Sequence, residues 1–254
     1  FETFEKNAKE DTRLIKAKTS DNPYLPEGFI DSLLENYPPQ LIQAYLNGNF
    51  TNLTTGAVYS RFDRSKHVID KLPFPIENEI IKIGIDFNVM NCNAVVCVTT
   101  GDKLIVIDEI TKQVDTDALA KEIVRRYGRN KILVYPDASG ANRSTINASK
   151  TDIAILQSYG FTSMALRSNP PIKDRVQTLQ ALLENSKGRV RMAIHASCRR
   201  LIECLELQSY DEKTGDPDKQ NGYDHLNDAL GYLCYREFNM IYSKAGNKTG
   251  IRIY

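Results

Sequence analysis

Between positions 79 and 86 the chain reads Glu-Ile-Ile-Lys-Ile-Gly-Ile-Asp, with isoleucine at 80, 81, 83 and 85. β-Branched side chains lose rotamer freedom in a helix and pack well on a pleated surface, so this run is a strand. Its apolar character is nearly continuous, as expected of a central strand covered on both faces. The strand closes on an acid, Asp86. Asn93 to Thr100 and Lys103 to Ile110 are two further strand-like runs joined by Gly101-Asp102, a hairpin signal. The regular part of the chain therefore opens with three antiparallel strands.

The period then changes. Thr116 to Tyr127 carries Leu119, Ile123 and Val124 at helical spacing, with Asp115 or Thr116 placed to cap its start and Gly128 its end. Lys131 to Tyr135 is an apolar strand closing at Pro136-Asp137. Ile153 to Tyr159 reads as a helix ended by Gly160, Thr162 to Arg167 as a strand, and Asp174 to Asn185 as an amphipathic helix with Val176, Leu179, Leu182 and Leu183 on one face. Gly188 to Ile194 is a basic strand. Two helices, Cys198 to Leu207 and Asp224 to Phe238, flank a polar loop from Ser209 to Gly222. The order β-β-β-α-β-α-β-α-β-α-α predicts an α/β fold: a mixed sheet of three antiparallel strands followed by parallel strands, with helices on both faces.

Residues 1–70 differ from this. Prolines and Asp-Asn break them into short pieces around one helical stretch from Glu27 to about Tyr37 and a second piece from Gln40 to Leu46. Starting without an initiator Met, they read as the tail of a preceding domain and a linker. The expected layout is one domain over 71–240 and a C-terminal tail over 241–254.

Thirty-three Lys and Arg stand against 32 Asp and Glu, a net charge of +1, so any attraction for phosphates must be local. The apolar stretches are too short to span a bilayer and the N-terminus lacks a signal-peptide pattern, which predicts a cytosolic chain without a membrane partner. The cysteines, five in number, show no Cys-x2-Cys spacing for zinc and are expected as reduced, buried thiols.

A carboxylate at the end of a buried strand must be paired, hydrogen-bonded or bound to a cation. Asp86 and Asp137 both occupy that position, and parallel neighbouring strands would bring them to one crevice. The third candidate is Asp224-His225-Leu226-Asn227-Asp228, opening the last helix, where Asp224 and Asp228 share a face and His225 adjoins Asp228. Asp224 also suits a simple N-cap, and an Asp after a strand is commonly a turn former. Three carboxylates without a thiolate favour Mg²⁺ or Mn²⁺, and two such ions would support phosphodiester hydrolysis.

Gly84-Ile85-Asp86-Phe87, Tyr135-Pro136-Asp137-Ala138-Ser139-Gly140 and Asp224-His225-Leu226-Asn227-Asp228-Ala229-Leu230 together resemble the nuclease domain of the large terminase subunit of tailed bacteriophages. The resemblance runs from about Lys82 to Phe238. Asp21-Asn-Pro-Tyr-Leu-Pro and Gln43-Ala-Tyr-Leu-Asn-Gly-Asn-Phe look like the segment joining that family's ATPase domain to its nuclease.

The resemblance implies a ribonuclease-H-like fold and an endonuclease that cuts concatemeric double-stranded DNA during genome packaging. It makes Asp86, Asp137 and Asp228 catalytic metal-binding acids, with Asp224 and His225 as further ligands. The implied partners are an ATPase domain of the same polypeptide, the capsid portal and the small terminase subunit, in the cytoplasm of a bacterial host. No Gly-x4-Gly-Lys-Ser/Thr phosphate loop occurs, so the chain is expected to be a C-terminal portion.

Asn142 and Arg143, Lys173 and Arg175, and Arg189 and Arg191 are the candidate DNA contacts, with Lys150 a weaker one; all are placed near the acids by the predicted strand order. A scattered basic face is equally a solvated surface. His67 and His195 are read as structural, and Gly140 as permitting a tight turn or ending a strand. No recognition-helix or zinc-finger pattern appears, which suits cleavage without strong sequence preference. The competing readings are another ribonuclease-H-like nuclease such as a resolvase, and a non-catalytic module that docks DNA or a portal.

Overall fold

The computed structural model describes residues 17–37, 42, 46, 56–87, 91–141 and 151–238. Its helices are α1 (Phe29–Asn36), α2 (Arg64–His67), α3 (Thr116–Tyr127), α4 (Asp152–Ser158), α5 (Ile172–Leu183), α6 (Arg199–Leu207) and α7 (Asp224–Phe238). Its strands are β1 (Val68–Ile69), β2 (Ile81–Asp86), β3 (Cys92–Thr100), β4 (Lys103–Gln113), β5 (Ile132–Pro136), β6 (Thr162–Ser163) and β7 (Met192–His195). They form one sheet in the order β1-β7-β4-β3-β2-β5-β6. Strand β3 is antiparallel to both β2 and β4, and the remaining pairs are parallel.

Alternation along β2 assigns its two faces. Ile81, Ile83 and Ile85 pack with Ala94, Val96 and Val98 of β3, Leu119 and Ile123 of α3, and Leu156 of α4. The other face of the sheet, with Val95, Cys97, Leu104, Val106 and Tyr135, is covered by Leu179 and Leu182 of α5, Leu201 and Leu205 of α6, and Leu226, Leu230 and Leu233 of α7. By the same alternation Lys82, Gly84 and Asp86 face α5, α6 and α7, as do Tyr135 and Asp137. The five cysteines are buried and free.

Helix α7 lies directly on β2 because Gly84 has no side chain. A Cβ at Gly84 would stand 2.0 Å from the carbonyl oxygen of Ala229, so any other residue lifts the helix off the sheet. The direction of α7 is set at its far end, where Glu237 pairs with Lys82 and accepts a hydrogen bond from the Tyr135 hydroxyl at 2.6 Å. The N-terminal half of α7 therefore sits over the carboxyl end of β2.

Several boundaries differ from the sequence reading. The basic strand expected over 188–194 is confined to Met192–His195, because the buried Asn185 side chain takes the backbone N–H groups of Lys187 and Arg189, at 3.0 and 2.8 Å, and turns the segment. The strand expected over 162–167 ends after Ser163 at the sheet edge, ahead of Pro170-Pro171. Helix α5 begins at Ile172 rather than 174, because the Pro171 carbonyl accepts the N–H groups of Asp174 and Arg175. Helix α2 and β1 are too short to leave a periodic signal. Apart from Ile42 and Leu46, the piece expected from Gln40 to Leu46 lies outside the described residues.

Candidate active site

Asp86 ends β2 and Asp137 follows β5 immediately. The pairing Gly84↔Tyr135 and Ile85↔Pro136, with the Asp137 N–H donating to the Ile85 carbonyl at 3.0 Å, puts the two acids side by side at the carboxyl end of the sheet. Asp228 comes to the same end from α7, one residue before the Ala229 that rests on Gly84. All three stand on one face.

Their charges converge on Tyr232, one turn further along α7. Burial raises its phenol pKa, Arg175 lowers it, and the carboxylates of Asp228, Asp137 and Asp86 each raise it further. The two strand-end acids are buried, Asp86 to 5% and Asp137 to 9% exposure. Burial also pushes the Asp228 carboxyl above its ordinary pKa; Arg175 and Lys219 oppose the rise, and Asp86 adds to it.

Each acid has a distinct partner. His225 Nδ1 lies 3.1 Å from Asp86 Oδ2 and 3.7 Å from Asp224 Oδ2. The bond to Asp86 lifts the imidazole pKa above its ordinary value, and this outweighs partial burial. Asp137 Oδ1 accepts from the Ser139 N–H at 2.7 Å and from Asn169 Nδ2 at 2.6 Å. Asp228 Oδ1 accepts from Arg175 at 2.7 Å, while Lys219 Nζ stands 3.9 Å from its Oδ2. Asp224 is not the helix cap allowed by the sequence: it is the first residue of α7, and its Oδ1 is buried without a hydrogen-bond partner.

That orphaned oxygen bears on whether these residues suit a cation. A buried carboxylate oxygen lacking a donor is stabilised by a metal ion, and a set of carboxylates with one imidazole matches a hard divalent ion. Among the described residues, no three His, Cys, Asp or Glu side chains are gathered closely enough to hold an ion by themselves. The acids share one end of the sheet and one face. Asp228 is drawn toward Arg175, and Asp137 toward Asn169.

The basic candidates separate. Lys173 is exposed on the first turn of α5, near the acids. Arg175, expected as a phosphate contact, is instead buried at 4% exposure, paired with Asp228 and lying 4.4 Å over the Tyr232 ring. Its place in the first turn of α5 points it inward toward α7.

Arg189 and Arg191 are not near the acids. They precede β7, whose start pairs with the start of β4, and β3 and β4 turn at Gly101-Asp102 at the opposite end of the sheet from Asp86. There Arg189 pairs with Asp102 at 2.6 Å. Asn142, Arg143 and Lys150 lie outside the described residues. Gly140 does not serve a left-handed turn; a Cβ there would stand 2.2 Å from the Phe87 ring, so space is what requires glycine.

Sequence reasoning missed Asn169, Lys219, Tyr232 and Asn93. Asn93 pairs across from Asp86, buried on the same face, with its Oδ1 accepting from the Lys112 N–H at 3.3 Å. Position directly before Pro170-Pro171 and a helix start marked Asn169 as well placed, but no local signal named its partner.

A central β2 flanked by antiparallel β3 and parallel β5, with acids at the carboxyl ends of β2 and β5 and a third on the covering helix, defines a ribonuclease-H-like domain. The family model "Terminase RNaseH-like domain" matches residues 83–237, more than half of the chain, and the chain belongs to that family. Its fold is similar to the full-length large terminase of a thermophilic bacteriophage, with TM-score 0.67 and 19% identity over 87% of this chain and 54% of that one. It is also similar to the P22 large terminase nuclease domain, with TM-score 0.56 and 17% identity over 73% of this chain and 95% of that one. The chain thus spans about half the length of the thermophilic-phage terminase. No curated protein sequence matches it significantly. No helix among the described residues is long and apolar enough to cross a membrane.

Proposed function

We infer that this chain is the nuclease part of a large terminase subunit, a divalent-cation-dependent endonuclease that hydrolyses phosphodiester bonds of double-stranded DNA. Its role in this reading is to cut concatemeric phage DNA as genomes are packaged, in the cytoplasm of the bacterial host. The observation that carries the reading is the meeting of Asp86, Asp137 and Asp228 on one face at one end of the sheet, within electrostatic reach of Tyr232. Residues 71–240 form the nuclease domain, 1–70 the link to an ATPase domain of the same polypeptide, and 241–254 a tail. The portal and the small terminase subunit are further partners of the whole protein.

Asp86, Asp137 and Asp228 would hold the cation, two ions being expected, with Asp224 and His225 beside them. Bound Mg²⁺ or Mn²⁺ supplies Lewis-acid activation of water and neutralisation of the scissile phosphate. The protein contributes rigidity: Asp86 is fixed by the β2 ladder, Asp137 by two hydrogen bonds to Oδ1, and Asp228 by a buried guanidinium. Lys173 and Lys219, exposed at the mouth, are the cations for backbone phosphates, and Asn142 and Arg143 follow Asp137 closely enough in sequence to join them.

A non-catalytic docking module draws on one observation, the commitment of Asp228 to Arg175. Plasmid nicking in Mn²⁺ separates the two readings. The enzyme reading expects nicking by the wild-type chain and its loss in Asp86→Asn with an unchanged circular dichroism spectrum; nicking retained in that variant defeats the assignment.

A further inference from the structure

Asp137 is held by a residue outside its own strand and turn. Asn169, from the loop between β6 and α5, donates Nδ2 to Asp137 Oδ1 at 2.6 Å and accepts the Ala138 N–H on its Oδ1 at 2.8 Å. A carboxylate only accepts and a backbone N–H only donates, so the orientation of the amide is fixed by its partners. Both ends of one side chain are spent on a single acid and the residue after it. The Ser139 N–H lands on the same oxygen at 2.7 Å, and neither bond uses Oδ2.

The backbone carrying this clamp is constrained from behind. A residue before proline is confined to extended conformations, and Asn169 precedes Pro170, which is buried. Pro171 then seats α5 through its carbonyl, which accepts from Asp174 and Arg175. Asn169 itself is exposed. It closes over a buried acid from the solvent side, at the mouth of the site, and no packing of the core depends on it.

We propose that Asn169 is a positioning residue for the metal-binding function of Asp137, locking Oδ1 so that Oδ2 is presented to the cation. This rests on the reading of Asp137 as a ligand. A carboxylate that must first be ordered binds a cation more weakly than one already held, and loss of such an outer partner typically weakens metal affinity or activity by about 10–100-fold.

The test is Mn²⁺ binding to the full chain without DNA, followed by electron paramagnetic resonance of the free ion, for wild type and Asn169→Ala. The expected result is a dissociation constant raised by about 10-fold or more. The metal-free melting temperature should shift by no more than about 2 °C, since the residue is at the surface. In plasmid nicking the Mn²⁺ concentration for half-maximal rate should rise in step, with KM for DNA unchanged.

Superimposable Mn²⁺ isotherms would overturn the inference, as would a raised KM for DNA with unchanged metal binding, which would make Asn169 a substrate contact. A wild-type chain that binds no Mn²⁺ would remove the reading of Asp137 itself, and the inference with it.

Discussion

Replacement of Arg175 by methionine probes the most heavily buried charge in the site. The Arg175 side chain is 5% exposed and its partner Asp228 17%, so the pair lies well inside the protein. Removing one member of a buried pair costs about 3–5 kcal/mol, because the other charge is left uncompensated. The lost contact over Tyr232, worth about 0.5–2 kcal/mol, is largely offset by a methionine–aromatic contact of about 0.3–1.5 kcal/mol. At about 2–4 °C per kcal/mol for a domain of this size, Tm should fall by about 6–20 °C in EDTA.

The dependence on Asp228 is the sharper part. In an Asp228→Asn background there is no buried charge to strand, so Arg175→Met should cost about 1–3 kcal/mol less there. The pH dependence has a definite sign. Burial raises the folded carboxyl of Asp228 above the ordinary 3.8, so its contribution favours folding below that value and is lost as pH rises through the folded pKa. Arg175 opposes that rise, so the gap between wild type and Arg175→Met should be widest near neutrality and narrow as pH falls toward 3.8. Thermal denaturation of the four proteins checks both. A Tm within about 2 °C of wild type, or an equal drop in both backgrounds, would refute the reasoning.

Gly84→Ala should destabilise the fold by about 1–3 kcal/mol or more in urea denaturation, since its Cβ meets the Ala229 carbonyl, and should weaken Mn²⁺ binding by shifting Asp228. The Glu122 carboxyl, hydrogen-bonded by Arg125 and Arg126 on α3, is held down to about 2 from the ordinary 4.5. Its contribution to stability is present above 4.5 and lost as pH falls through about 2, so Tm curves of wild type and Glu122→Gln should converge at the acid end. Arg189→Ala, at the far end of the sheet, should leave both the nicking rate and its salt dependence unchanged, whereas Lys219→Ala should lower the salt slope.

What was legible in the sequence was whatever local chemistry decides. The isoleucines of β2, the hairpin at Gly101-Asp102, the Asp115 cap of α3 and the amphipathic stripe of α5 each carry their own signal, and together they imply the mixed sheet. The three acids were legible as a set because each ends a strand or opens a helix. The far-end location of Arg189 and Arg191 was not, because it depends on β7 pairing with the start of β4 and not on proximity along the chain. Arg175 looked like any surface arginine. Only the close packing of α5 on α7, where a Cβ on Gly231 would touch Arg175 at 3.4 Å, turns it inward. The clamp of Asn169 on Asp137 joins residues 32 positions apart, beyond the reach of any local pattern.

Anomalous diffraction from crystals soaked in Mn²⁺ tests the central claim most directly. The account predicts a peak bounded by carboxylate oxygens of Asp86, Asp137 and Asp228, lost in Asp86→Asn. A strong peak elsewhere with none at these acids would contradict it.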